Sequence, residues 1–309
     1  MAAPHLAPIT IPHDFSVWAA TDLHGQLTAV DALLGEAGLT DGARRWTAPR
    51  RTALVVTGDM VDRGPDSLGL VRRLVSLREQ ARDAGGMVAL LEGNHEVQVL
   101  GGLAGVPELF RALMAFGGPA TFASAGMEPQ EWIGRDASTI AARMDELAPD
   151  FRPALWSCAP YARWRDVVLV HGGPVPDLPV HAWGGSAARL WIRGAFFASE
   201  AEFPTAAEWS PYRDAGVARV VFGHTPVDRP TTYHHGRALN LDTWRGHAVS
   251  LARVAPDGDL GESRFLAQPA QPRSIPDAPV SGEEVSRLDR DLPAVVDGWI
   301  ASGRGVPTG

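Results

Sequence analysis

The 309-residue chain contains no lysine, a single cysteine and only three tyrosines. With Cys158 alone, an intrachain disulfide is excluded and a thiolate metal cluster lacks its ligands, so any bound metal must be held by imidazole and oxygen donors. Because lysine is missing, all 28 cationic side chains are arginine. A compositional bias toward arginine accounts for this, and no function is read from it. No window approaches the ~20 apolar residues of a membrane span. The Ala- and Pro-rich segment 1–10 lacks both the basic and the apolar regions of a secretory signal. These absences point to a cytoplasmic protein without a membrane partner. A net charge of -8 argues equally against nucleic-acid binding, while leaving room for a local basic pocket.

What is present is the composition of a packed domain, 45% hydrophobic and 21% charged. The first half alternates short apolar runs at 15–20, 53–57 and 87–91 with helical stretches at 27–37 and 67–84, the pattern of a layered α/β fold. After each run stands a polar cluster: Thr21-Asp22-Leu23-His24-Gly25, then Gly58-Asp59-Met60-Val61-Asp62-Arg63-Gly64, then Gly93-Asn94-His95-Glu96. Ligands bind at the carboxyl ends of strands in open α/β sheets, so the three clusters should converge. From about 100 to 160 the pattern turns helical, with breaks at Pro107, Gly117-Gly118-Pro119 and Pro129, which predicts a small helical insertion over the core. Further runs at 166–170 and 218–222 lead into His171-Gly172-Gly173 and Gly223-His224-Thr225-Pro226. Runs at 237–241 and 248–254 predict a second sheet. The expected catalytic domain is 1–266, followed by a Pro-rich tail, 267–309. Within the tail, 283–300 carries an imperfect helical stripe of Val285, Leu288, Leu292, Val295, Val296 and Trp299, interrupted by Pro293. It reads as a terminal helix docked on its own domain or as a segment for a partner.

The strand ends supply metal-type ligands. Asp22 and His24 are one residue apart, which in extended backbone sends both side chains to one side, where they can share an ion. Asp59, Asn94, His171 and His224 follow the next four strands. Taken singly, Asp59 suits an Asx-turn, Asn94 a turn position and each histidine a structural role. Five strand ends each delivering such a residue instead fit a site for two divalent ions about 3.5–4 Å apart, the clamp that hydrolyses phosphate esters.

The ordered motifs resemble those of the calcineurin-like metallophosphoesterases, and more narrowly the phosphoprotein phosphatase branch, which includes bacterial serine/threonine protein phosphatases and diadenosine tetraphosphate hydrolases. The likeness runs from about 15 to 254. It implies a four-layer αββα sandwich. It also implies a first metal held by Asp22, His24 and Asp59 and a second by Asp59, Asn94, His171 and His224, with Asp59 bridging. Manganese is the first choice, with iron, zinc or magnesium as alternatives. The resemblance further implies direct attack by a metal-bridging hydroxide, His95 as the acid for the leaving group, and Asp62 orienting His95 and raising its pKa. Arg63 and Asn94 would bind substrate, together with an arginine of the segment Arg189-Leu190-Trp191-Ile192-Arg193, where Arg193 is favoured over Arg189. The substrate it implies is a phosphorylated protein or a small phosphate monoester, with dinucleoside polyphosphates or phosphodiesters as the alternative.

Four residues, at three places in the chain, depart from the family pattern. Thr21 replaces the glycine usual before the first aspartate. Glu92 stands where eukaryotic-type phosphatases place an arginine. Trp244-Arg245 replaces small residues after Leu239-Asn240-Leu241-Asp242-Thr243, and its bulk is expected to narrow the pocket.

Overall fold

The computed structural model of the chain describes residues 7–173, 175, 178, 180–193, 216–272 and 282–303. Its strands are β1 (Ile9–Ile11), β2 (Ser16–Ala20), β3 (Thr52–Val56), β4 (Met87–Leu90), β5 (Ala162–Trp164), β6 (Val167–Leu169), β7 (Arg219–Phe222), β8 (Thr231–Tyr233), β9 (Ala238–Asn240), β10 (Ala248–Arg253) and β11 (Arg264–Pro269). Its helices are α1 (Leu27–Glu36), α2 (Ser67–Asp83), α3 (Asn94–Leu103), α4 (Pro107–Ala115), α5 (Gly118–Ser124), α6 (Ala137–Leu147), α7 (Phe151–Trp156), α8 (Ala188–Trp191) and α9 (Gly282–Ala301).

Two mixed sheets result, ordered β1-β5-β6-β7-β9-β8 and β11-β10-β2-β3-β4. The two-residue period of a strand sorts their side chains. Val17, Ala19, Ala53, Val55 and Ala89 face the other sheet, meeting Ile11, Ala162, Trp164, Val167, Leu169, Val221 and Leu239 in an inter-sheet core. Their neighbours Trp18, Ala20, Leu54, Val56, Val88 and Leu90 face the helices, where Val30, Leu33, Leu34, Leu70, Val71, Leu74 and Leu77 of α1 and α2 cover them. The outer face of the six-stranded sheet buries Val168, Val220 and Phe222 under a 3₁₀ turn, Val180–Gly185, with Trp183 fully enclosed. The expected helix-sheet-sheet-helix order is present, and among the described residues its last layer is 3₁₀ rather than α-helical.

Capping explains several helix starts. Asp66 accepts the Gly69 amide at 2.7 Å before α2, Asp136 accepts the Thr139 amide at 2.9 Å before α6, and Pro107 opens α4. Helices α4 to α7 fill the stretch 100–160. Strand β11 pairs antiparallel with β10 as far as Pro269, so the sheet continues beyond residue 266. Helix α9 runs unbroken through Pro293. Proline inside a helix costs about 3 kcal/mol. Burial of Leu288, Leu292, Val296, Trp299 and Ile300 in the helical core offsets this, at roughly 1.5–3 kcal/mol for each large side chain. The side chain of Val285 lies outside the described residues.

Candidate active site

Strands β2, β3 and β4 are parallel, and so are β6 and β7, so the loops after each set open at a common end. Asp22, His24, Asp59, Asn94, His95, His171 and His224 gather there, each at most 5% exposed. Their backbone is unusual. Asp22, His24, Asp59, Asp62, Arg63 and His224 all have φ between 38° and 70°. A non-glycine residue in this left-handed region costs on the order of 1–2 kcal/mol. Half of the twelve non-glycine residues with positive φ among those described thus lie in these loops, and strain of this kind clusters at functional sites. It also corrects the expectation of extended backbone at Asp22 and His24. The loop turns left-handed at both, pinned by amides of Asp22, His24 and Gly25 on the carbonyls of Gly58, Asp59 and Met60 at 2.8–3.1 Å.

Hydrogen bonds set the histidine tautomers. Nδ1 of His24 lies 2.8 Å from the Val61 carbonyl and Nδ1 of His171 lies 2.9 Å from the Thr57 carbonyl, so both carry their proton on Nδ1 and present Nε2 as a lone pair. The His171 Nε2 lone pair then faces two further acceptors, Asn94 Oδ1 at 2.9 Å and Asp59 Oδ1 at 3.4 Å. Nδ1 of His224 lies 3.0 Å from the same Asn94 oxygen. Acceptors turned on one another in a buried space fit a cation between them. Among the described residues two groups have ligand atoms mutually within 4.8 Å: His24, Asp59 and His95, and Asp59, His171 and His224. Asp59 belongs to both.

Asp22 belongs to neither group. One of its carboxylate oxygens accepts the Thr21 hydroxyl at 2.6 Å and the His224 amide at 3.0 Å. Thr21, the departure from the family glycine, thus orients Asp22. Gly223 leaves the room, since a Cβ there would stand 2.1 Å from the Asp22 carboxylate and 2.3 Å from the Thr21 hydroxyl.

His95 is itself a member of the first group, its Nε2 3.8 Å from Asp59 and its Nδ1 2.7 Å from Asp62 Oδ2. The other Asp62 oxygen accepts the Thr121 hydroxyl at 2.6 Å, so the helical insertion holds the dyad through α5. The expectation that His95 is raised is not met. Burial, then the Arg63 charge and the neighbouring imidazoles, push it well below the ordinary imidazole range. His171 and His224 are lowered too, first by burial.

The two candidate arginines part company. Arg189 is fully buried and bonds Glu92 and the Ser186 carbonyl. Glu92, the second departure, is therefore an ion-pair partner that holds Arg189 in the wall. Arg193 is 40% exposed, lies 3.9 Å from Asp289, and bears electrostatically on His171, His224 and Asp242. Arg63 donates to His24 Nε2 at 2.7 Å.

Sequence reasoning assigned no role to three further residues. Glu96 accepts the amides of Asp59, Gly93 and Met60 at 2.7–2.8 Å. It lay in the motif Gly93-Asn94-His95-Glu96, and an acid at the third position of a helix, where it can reach back to the N-cap amide, was the available signal. The buried acid Asp242 lay in the family-like stretch Leu239-Asn240-Leu241-Asp242-Thr243 without a role of its own, and Thr121 gave no signal, because only tertiary structure brings it to Asp62.

Paired ligand groups that share one aspartate define the class of two-metal hydrolases. The chain belongs to the calcineurin-like phosphoesterase family, which matches residues 15–250. It is 27% identical over 294 residues to a symmetrical bis(5'-nucleosyl)-tetraphosphatase of Chromohalobacter salexigens, covering 82% of this chain and 98% of that protein. It is also 38% identical over 84 residues to Shewanella-like protein phosphatase 2 of Arabidopsis thaliana. That match and one to an uncharacterised Schizosaccharomyces pombe protein span only 21% and 24% of those relatives. In fold it is similar to the cold-active protein-tyrosine phosphatase of a psychrophilic Shewanella species, with a TM-score of 0.60, 24% identity, and coverage of 84% of this chain and 83% of that one. No described helix is long and apolar enough to cross a membrane.

Proposed function

We propose that the protein is a manganese-dependent phosphomonoesterase of the bacterial serine/threonine protein phosphatase type, acting in the cytoplasm on a phosphorylated protein or small phosphate monoester. Asp22, His24 and Asp59 would hold one ion, and Asp59, Asn94, His171 and His224 the other. Ions bound there activate water and offset phosphoryl charge. The chain's own residues bind and protonate. Arg63 and Arg193 offer planar forks to phosphate oxygens, and the Asn94 amide can donate to another. His95 gives a proton from Nε2 to the departing oxygen while Asp62 steadies the Nδ1 side. For this step His95 must carry a proton on both ring nitrogens.

The observation that carries this reading is the buried His95–Asp62 pair, 2.7 Å apart beside the aspartate common to both ligand groups. A second reading, hydrolysis of dinucleoside polyphosphates or phosphodiesters, draws support from the tetraphosphatase matched over 98% of its length. Manganese-loaded protein tested on a phosphoserine peptide, p-nitrophenyl phosphate and diadenosine tetraphosphate separates the two. Turnover of the monoesters supports the first, and a clear preference for the dinucleotide replaces it with the second. In either case His95→Ala should slow esters with poor leaving groups far more than p-nitrophenyl phosphate. An equal loss on both would remove His95 as the acid.

A further inference from the structure

The third departure, Trp244-Arg245, is built into the site with care. A 3₁₀ turn, Trp244–Gly246, carries both residues. Trp244 fastens it on the ligand side. Its indole N–H donates to the Asp22 carbonyl at 2.5 Å, and its ring meets the His24 ring edge-on at 5.2 Å. Gly246 fastens it on the other side by lying directly against the loop that follows His224. A Cβ at Gly246 would stand 2.0 Å from the Asp228 carbonyl, and its amide donates to the Val227 carbonyl at 3.3 Å.

Between these two fixed points Arg245 is exposed. It lines a cavity of about 760 Å³ together with Arg63, Trp244, His247 and Gln271. The opposite wall is also fixed. Gln271 and Gln26 exchange hydrogen bonds at 2.8 and 2.9 Å, and the Ala270 amide donates to the His247 carbonyl at 2.9 Å. The described lining holds two guanidinium groups and no carboxylate, on a chain whose net charge is -8. Arg245 faces a second cavity as well, of about 450 Å³, beside Arg229 and Asp228.

A rigid, basic cavity that shares Arg63 with the ligand cluster is larger than one phosphate needs. We propose that it is a second anion subsite centred on Arg245, which binds a carboxylate or phosphate carried by the leaving group of a phosphoester held at the metal ligands. This deepens the proposed function and rests on it. The subsite selects substrates with a second negative charge: an acidic residue flanking a phosphorylated one, or a further phosphate of a polyphosphate. Trp244 fills the space nearest His24 and keeps the anion at Arg245 apart from the reacting phosphate.

Arg245→Ala and Arg245→Glu test this, with two probe pairs that separate the sources of the anion. The first pair is a phosphoserine peptide flanked by Glu and the same peptide flanked by Gln, compared by kcat/KM on manganese-loaded protein. The second is tripolyphosphate and orthophosphate, compared by calorimetric binding. An exposed charge pair supports a preference of roughly fivefold for the more anionic member of at least one pair. That preference should fall to about one in Arg245→Ala and invert in Arg245→Glu. The pair that responds identifies the source. Preferences that survive both substitutions, or absence of preference in the parent protein for both pairs, overturn the subsite. Failure to hydrolyse any phosphoester would instead sink the underlying function, and the binding comparison still decides the subsite.

Discussion

Glu96 grips Asp59 by the main chain, accepting the Asp59 amide at 2.8 Å and, on the same oxygen, the Gly93 amide at 2.7 Å. Its other oxygen takes the Met60 amide at 2.7 Å. One carboxylate thereby fixes the loop that carries the shared ligand to the start of α3, which carries Asn94 and His95.

Removal of that carboxylate should therefore disturb the metals without touching a ligand. Glu96→Ala leaves three buried amides without their acceptor, each at a cost of about 1–3 kcal/mol. Glu96→Gln keeps one acceptor oxygen. Thermal unfolding and elemental analysis should rank parent, Glu96→Gln and Glu96→Ala in falling order of both stability and bound metal. Full metal content in Glu96→Ala would show that the grip is dispensable.

The buried acids also set a pH dependence. Burial pushes the Glu96 carboxyl up to about 7 from 4.5. Burial and the nearby carboxylates of Asp22 and Glu96 raise Asp59, while burial and Asp22 raise Asp242. Such groups keep protons in the folded state that the unfolded chain has released, so they remove stability as pH climbs toward their folded values. The lowered histidines act oppositely, but only below about pH 7, where the unfolded chain protonates them. The melting temperature of the chelated parent, taken relative to that of Glu96→Gln so that the histidine contributions cancel, should thus fall from about pH 4.5 to about pH 7 and level off above it. Divalent ions reverse the penalty on the carboxylates, so the gain on adding manganese should grow over the same range. A gain independent of pH would mean that these acids do not face the metals.

Arg189 and Arg193 should respond to substitution in opposite ways. Arg189→Ala removes the buried ion-pair partner of Glu92, at a cost of about 3–5 kcal/mol. Arg193→Ala removes an exposed pair worth less than about 1 kcal/mol and should leave unfolding almost unchanged while raising KM for a phosphate monoester. Denaturation curves and steady-state kinetics on both variants check this. A KM effect from Arg189→Ala at full stability, with none from Arg193→Ala, would exchange their roles.

The residues that gather at the strand ends could be read from the sequence because each stands in a short motif, where local polarity against an apolar run is itself the signal. The strands β2 to β4 and the helices α1 and α2 were legible for the same reason, since period and capping are local. What escaped depends on distant segments. Ile9–Ile11 is a strand only because it pairs with Ala162–Trp164. Thr121 reaches Asp62 across 59 residues, and Glu92 meets Arg189 across 97. The depressed His95 was missed because the carboxylate partner was visible in the motif, whereas burial, the larger effect, was not.

The shared position of Asp59 makes one stoichiometry decisive. Chelated protein should be titrated with manganese while bound metal per chain and hydrolysis of p-nitrophenyl phosphate are followed together. Hydrolysis should rise to a plateau at two ions per chain, and Asp59→Asn should lose both ions and the activity. A plateau at one ion, or activity that persists in the chelated protein, would contradict a two-metal centre built on Asp59.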